Sequence, residues 1–205
     1  MLRENVIPYQ SVPAERFNQY TRKNHQGVIA WLSAVEYQDI SAILPGLFEK
    51  GIDPLLILLN GVSDIRNFGA IARSAECFGA HAILIPDKGS ARVNADAVKT
   101  SAGALNSIPV CRVKSIIRTI EYLKDSGLKI ICASEKKDDT IYAADLKGPV
   151  VLVMGSEDRG VSREVLDIAD STVSIPISGN TESLNVSVAA GIMLYEATRQ
   201  RSTNG

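Results

Sequence analysis

Six apolar runs of strand length recur along this chain, and no other feature limits its fold so tightly. They are LLILL (55–59), AILIP (82–86), PVCRV (109–113), KIICA (129–133), VVLVM (150–154) and TVSIP (172–176). Continuous Val/Ile/Leu runs, without alternation of apolar and polar residues, mark strands buried on both faces. Helical periodicity lies between most of them, over 67–78, 115–126 and 162–169, and again over 184–201 at the end. Strands of this kind separated by helices predict an α/β fold, a mostly parallel sheet flanked by helices. Such sheets bind ligands at the carboxyl ends of their strands, so the loops after residues 59, 154 and 176 are the places to search.

Residues 1–27 lack that rhythm. They are polar, with Pro8, Pro13 and the basic run TRKNHQG, and they read as a linker or the tail of something upstream, leaving 28–205 as the α/β domain. VIAWL (28–32) is a candidate strand, and YQDISAILPGLFEKG carries a broken helical period ending at Gly51. A 205-residue chain with 45% hydrophobic and 22% charged residues can bury a full core as a soluble domain. The net charge of −1 gives no global basic footprint, so any nucleic-acid binding must use local patches.

No stretch reaches the roughly 20 apolar residues of a membrane span, and the N-terminus has no basic-then-apolar leader. Cys77, Cys111 and Cys132 sit in apolar segments and read as reduced core residues of a cytoplasmic protein. With only His25 and His81, and neither Cys-x-x-Cys nor His-Glu-x-x-His, the chain offers little for a His-based triad or a metal site, and no metal is expected. Ser134 and Lys137 have Ser-x-x-Lys spacing, but in SEKKDD they read as a solvated turn.

Three loops carry chemistry. In NGVSDIRNFGAIARSAECFG, Phe68, Ile71, Ala72 and Ala75 follow the core period of a helix, with Asn67, Ala70, Arg73 and Ser74 on a second stripe. Gly69 in its first turn costs about 1 kcal/mol relative to alanine, which makes sense where something approaches the backbone closely. In VMGSEDRGVSREVL a buried strand delivers Gly155, Glu157 and Gly160 ahead of a helix. Val161 stands where a phosphate loop needs its lysine, and no Gly-x-Gly-x-x-Gly occurs, so neither nucleotide-binding pattern applies. In IPISGNTESLNVSVAAGIMLYEATRQR the loop ends at Ser183, a candidate helix cap, before a helix of unusually small residues.

Taken in order, Asn67-x5-Arg73 after a strand, VMGSEDRGV after another and the C-terminal stretch resemble the three motifs of the SpoU/TrmH family of the SPOUT superfamily. The resemblance covers about residues 25–201, NHQGVIA and VNADAVKTSAGA included. It implies an S-adenosylmethionine-dependent RNA ribose 2′-O-methyltransferase acting on a guanosine of 23S rRNA. A transfer-RNA ribose, or a non-catalytic RNA-binding or ribosome-assembly role on the same fold, are the alternatives. It further implies a deep C-terminal trefoil knot, a homodimer with the site close to its interface, and an N-terminal RNA-binding domain of which residues 1–24 resemble the tail.

Residue by residue, the resemblance places Asn67, Arg73, Glu157, Ser183 and Asn185 in the catalytic set. It places Ser101, Gly155, Ile175, Leu184 and Asn185 around the methyl donor. Arg73 is either the base or, since a guanidinium accepts protons poorly, a bidentate phosphate clamp. Glu157 would orient Asn67 or a neighbouring loop. Arg66, Arg92, Lys99, Arg159 and Arg163 are candidate RNA contacts. The small residues of the last helix would pack within the knot and against a second subunit, with Ala190 as the position to test.

Overall fold

The computed structural model describes residues 10–21, 24–29, 35–91, 93–135, 139–181 and 183–202. The chain divides into two compact units, 1–33 and 34–205. In the first, the short helix α1 (Ala14–Phe17) is followed by a turn in which the His25 ring stacks on Phe17 with centroids 4.7 Å apart. Within the candidate strand 28–32 only Val28 and Ile29 are described, and neither is in a strand.

The second unit is a seven-stranded sheet. Its strands are β1 (Tyr37–Gln38), β2 (Leu55–Asn60), β3 (Ala82–Pro86), β4 (Val110–Val113), β5 (Lys129–Ala133), β6 (Val150–Gly155) and β7 (Ser171–Val173). They lie in the order β1-β4-β3-β2-β6-β5-β7, and every strand pair is parallel. The helices are α2 (Ile40–Glu49), α3 (Ile65–Cys77), α4 (Ala95–Thr100), α5 (Ile116–Asp125), α6 (Arg163–Ile168) and α7 (Val186–Ser202).

Because successive strand residues face opposite ways, β2 feeds two cores. Leu55, Ile57 and Leu59 join Phe68, Ile71 and Ala72 of α3, Ala97 of α4, and Ala190, Met193 and Leu194 of α7. Leu56 and Leu58 join Ile40 and Leu44 of α2, Ile120 and Leu123 of α5, and Val165 of α6. Two-sided burial explains why these strands carry no polar alternation. Two strands differ from the sequence pattern. β1 is a two-residue edge piece, with Arg112 stacked over Tyr37 at 4.2 Å, and the run TVSIP leaves the sheet after Val173.

Gly69 has the close neighbour its position called for. A Cβ there would lie 2.7 Å from the Thr100 Cβ and 2.9 Å from the Ala97 carbonyl, so glycine is what lets α4 lie on α3. Cys111 and Cys132 are buried, and burial pushes both thiols up to about 12. Cys77, by contrast, is exposed at the end of α3, because the helical stripe leaves the core after Ala75, Glu76 already being exposed.

The end of α7 is fastened from one side chain. The Arg201 guanidinium donates to the carbonyls of Asp53 (2.8 Å), Pro54 (3.2 Å), Leu146 (3.1 Å) and Gly148 (2.6 Å). Gln200 adds bonds to the Ala144 carbonyl and the Leu146 N–H. Among the described residues no helix is long and apolar enough to cross a membrane.

Candidate active site

Parallel pairing sets Asn60, at the end of β2, opposite Gly155, at the end of β6. The strand order turns back here, β3 and β4 lying beyond β2 on one side and β5 and β7 beyond β6 on the other. An open α/β sheet leaves its crevice at such a point. The segment leaving β6 folds into a tight turn. The Ser156 N–H donates to the Gly160 carbonyl (3.1 Å) and the Gly160 N–H to the Ser156 carbonyl (2.8 Å). A Cβ on Gly155 would lie 2.0 Å from Gly160 C and 2.2 Å from Val161 N. Glycine is therefore the residue that lets the turn lie back on its own strand. Asn60 ties the far side down, its Oδ1 accepting from the Ser162 N–H at 2.7 Å.

Two caps then decide which side chains are free. Asp64, not Asn67, caps α3, its Oδ1 accepting from the Asn67 N–H at 2.8 Å, and this leaves the Asn67 amide available. At α7 the cap is Asn185, not the expected Ser183. Its carbonyl accepts from the Ala189 N–H, and its Oδ1 accepts from the N–H (3.0 Å) and hydroxyl (2.6 Å) of Ser187. Ser183 stands two residues too early to reach the first turn; it is exposed, with no hydrogen bond among the described residues.

With its oxygen committed to the helix, Asn185 donates from Nδ2 to Asn67 Oδ1 at 3.0 Å and to Glu157 Oε1 at 2.5 Å. The network itself fixes which way the amide is turned. Residues from three separate loops thus meet in one hydrogen-bonded trio, the carboxylate contact being the short, charge-assisted one. Of the two expected partners of Glu157, Asn67 or a neighbouring loop, the bond is to the loop, at Asn185. Arg73 is not bonded to the trio: six residues past Asn67 on a helix is about 9 Å along the axis and roughly 120° round it, so the two do not share the stripe that the sequence suggested. It is exposed, and among the described residues it has no ion pair or hydrogen bond.

A cavity of about 580 Å³ opens between the 156–161 turn and residues 173–184, and Gly155, Glu157, Ile175, Leu184, Val186 and Ala189 are on its wall. Of the expected donor-binding residues, Gly155, Ile175 and Leu184 line it. Asn185 lies between two lining residues. Ser101 is not among them: it is buried at the end of α4, where its hydroxyl donates to the Val98 carbonyl (2.8 Å) and accepts from the Leu105 N–H (3.3 Å).

A second cavity, about 900 Å³, shares the 156–161 turn as a wall and extends to the segments after β2 and β3, with Asn60, Asn67, Lys88 and Arg163 on its surface. Of the candidate RNA contacts, Arg159 lines both cavities and is paired with Asp158 (3.2 Å), and Arg163 lines the second and is paired with Asp167 (2.8 Å). Arg66 and Lys99 are exposed and line neither, while Arg92 lies outside the described residues. Sequence reasoning missed Asn60 and Lys88, although both lie at the carboxyl ends of strands, where the sheet places its crevice. Among the described residues no group of three His, Cys, Asp or Glu side chains is placed to hold a metal ion.

Residues 54–195 match the family described as SpoU rRNA Methylase, and residues 1–38 match the one described as RNA 2′-O ribose methyltransferase substrate binding. The 23S rRNA (guanosine-2′-O-)-methyltransferase RlmB of Photorhabdus laumondii is 41% identical over 187 residues, 91% of this chain and 76% of that protein. The TrmH/SpoU tRNA modifying enzyme of A. aeolicus matches with a TM-score of 0.69 and 32% identity, covering 75% of this chain and 78% of its own. The SpoU methyltransferase AviRb from Streptomyces viridochromogenes, solved in complex with the cofactor AdoMet, matches equally well, at 0.69 and 32%, covering 74% and 59%. By its sequence, its all-parallel sheet and its three converging loops, this chain belongs to the SpoU rRNA methylase family.

Proposed function

We propose that this chain transfers a methyl group from S-adenosylmethionine to the ribose 2′-hydroxyl of a guanosine in 23S rRNA, as the activity of its relative RlmB suggests. The observation that carries the proposal is the trio Asn67–Asn185–Glu157, which joins three loops beside a cavity of the right kind. At about 580 Å³, with half-buried Ile175 and Leu184 on its wall and bare backbone at Gly155, that cavity suits an adenosyl group. Bound there, the donor would supply a methyl group already attached to a good leaving group. The chain has then to align the hydroxyl and dispose of its proton, and alignment alone supplies several kcal/mol.

The trio is built for that task. Asn185 is held at both ends of its amide, so Asn67 and Glu157 are fixed relative to each other. The second oxygen of Glu157 and the Asn67 NH₂ have no partner among the described residues, and they remain to receive and orient a hydroxyl. Arg73, exposed and always charged, serves as a phosphate clamp in preference to a base. Ser183, between Thr181 and Leu184 of the first cavity's wall, is kept as a contact to the hydroxyl, and Ser101 holds the turn after α4.

Three further readings go with this one. We read the C-terminal segment as a deep trefoil knot; in support, the chain leaves the sheet edge at β7 and returns as α7 to pack on α3 and β6. We read the protein as a cytoplasmic homodimer, supported by Val188 and Tyr195, apolar side chains left exposed along α7. Ala190 is fully buried in the core, so its small size serves packing within the subunit. Residues 1–27 are read as the tail of an RNA-binding domain or a linker to one, in keeping with the match of 1–38 to a substrate-binding family.

The test is ribose-methylation mapping of rRNA and tRNA from cells lacking the gene, complemented with the wild type or with Asn185→Ala. One guanosine of 23S rRNA should lose its mark and regain it only with the wild type. A mark lost from tRNA instead, or restored by Asn185→Ala, would overturn the proposal.

A further inference from the structure

The geometry points to the second cavity as the seat of the acceptor ribonucleotide, with Lys88 holding a backbone phosphate of the RNA strand. The inference rests on the methyltransferase reading and adds to it a place for the substrate and a residue that binds it. The 156–161 turn is one wall of both cavities, and Glu157 lines both. A donor in the first cavity and a nucleotide in the second would therefore meet across the trio, with Asn67 on the acceptor side. Space agrees, since about 900 Å³ accommodates a nucleotide together with part of its neighbours.

Charge then selects the residue. Arg159 and Arg163 are each engaged by an aspartate. Lys88 lines the same cavity and is exposed, with no ion pair or hydrogen bond among the described residues. It can meet a phosphate without breaking an existing pair. Its backbone is also fixed in place. The Asp87 N–H donates to the Val113 carbonyl (3.0 Å), the Ser90 hydroxyl donates to the Pro86 carbonyl (2.7 Å), and Gly89 takes the left-handed conformation, φ +77°, that closes the turn. The carboxylates of Asp64, Glu157 and Asp158 also line the cavity, Asp64 already accepting from the Asn67 N–H, Glu157 from Asn185 and Asp158 paired with Arg159.

The experiment measures wild type, Lys88→Ala and Lys88→Arg with unmodified 23S rRNA transcript, by fluorescence anisotropy for RNA binding and by methyl transfer for KM and kcat. Calorimetry measures S-adenosylmethionine binding separately. Lys88→Ala is expected to raise both Kd and KM for the transcript about tenfold and to flatten the salt dependence of binding by roughly one phosphate's worth, a slope change of about 0.7–0.9. Its affinity for the methyl donor and its kcat at saturating RNA should match the wild type, Lys88→Arg should recover most of the loss, and Lys50→Ala, at an exposed cation lining neither cavity, should change nothing. Wild-type Kd and salt slope in Lys88→Ala would overturn the inference. A wild type that binds the transcript but transfers no methyl group would overturn the methyltransferase reading instead, and the anisotropy series would still decide whether Lys88 holds RNA.

Discussion

Replacing Gly155 with alanine adds one methyl group where the chain has least room for it. The new Cβ would stand 2.0 Å from Gly160 C, 2.2 Å from Val161 N and 2.4 Å from the Gly160 carbonyl oxygen, whereas ordinary contact begins at 3.4 Å. All three neighbours are backbone, so no side-chain rotation relieves the overlap, and Gly160 and Val161 must move away from Gly155 by about 1.4 Å. That motion breaks the two bonds between Ser156 and Gly160, at about 1 kcal/mol each, on top of about 1–3 kcal/mol of overpacking. The total is about 3–5 kcal/mol, or roughly 6–20 °C in Tm for a chain of this size. The same shift carries Glu157 away from Asn185, and a misplacement of about 1 Å in a positioning network costs on the order of a hundredfold in rate. Differential scanning fluorimetry and methyl transfer to 23S rRNA read the two effects. Gly46→Ala is the control: this glycine sits inside α2 with nothing within 4 Å of its Cβ position, and alanine there should stabilise by about 0.5–1 kcal/mol. A Gly155→Ala protein with wild-type Tm and turnover would show that the turn does not lie on its strand.

Three other outcomes follow from features away from the trio. Arg201→Met keeps the aliphatic stem but takes the donor from the carbonyls of Asp53, Leu146 and Gly148, while Pro54 keeps the Val150 N–H; it should cost about 3 kcal/mol in urea unfolding, as hydrogen bonds to a charged group of this kind do. His81 is held below its ordinary pKa by burial and by the charge of Arg201, while its Nδ1 accepts from the Leu55 N–H at 3.0 Å. The unfolded chain therefore binds the proton more readily than the folded one, so stability should fall as pH drops below about 6.5, and His81→Gln should flatten that part of the curve. Tyr195→Glu places a charge on the exposed side of α7, against Phe78, whose ring lies 6.0 Å away. If α7 forms the subunit interface, sedimentation should show monomers at concentrations where the wild type is dimeric; an unchanged dimer would move the interface elsewhere.

How far the sequence could be read depended on whether a signal was local. The strands of the central sheet are local signals, because burial on both faces demands continuous apolar runs; β3 and β5 fall on AILIP and KIICA as expected. β1 is two residues long and α4 six, too short for any period to show, though Asn94 caps α4 by accepting from the Ala97 N–H. The cap falls on Asn185 and not on the candidate Ser183; both are good cap residues, and only the true start of the helix at Val186 separates them. The trio spans 118 residues between Asn67 and Asn185, and no spacing rule reaches so far; the resemblance to the family supplied what local pattern could not. Asn60 escaped notice for the same reason, since its partner Ser162 is 102 residues away.

The Arg201 guanidinium has a consequence for how the chain breathes. Terminal helical turns usually fray, and their amide protons exchange quickly with solvent. Here the last turn of α7 cannot lift without releasing the segment before β2 and the segment before β6 together. Exchange at the C-terminal end of α7 should consequently be governed by the same opening event as exchange at the starts of β2 and β6. The slowest part of the helix would then be its end, and the site at its first turn would be free to adjust while the far turn stays anchored.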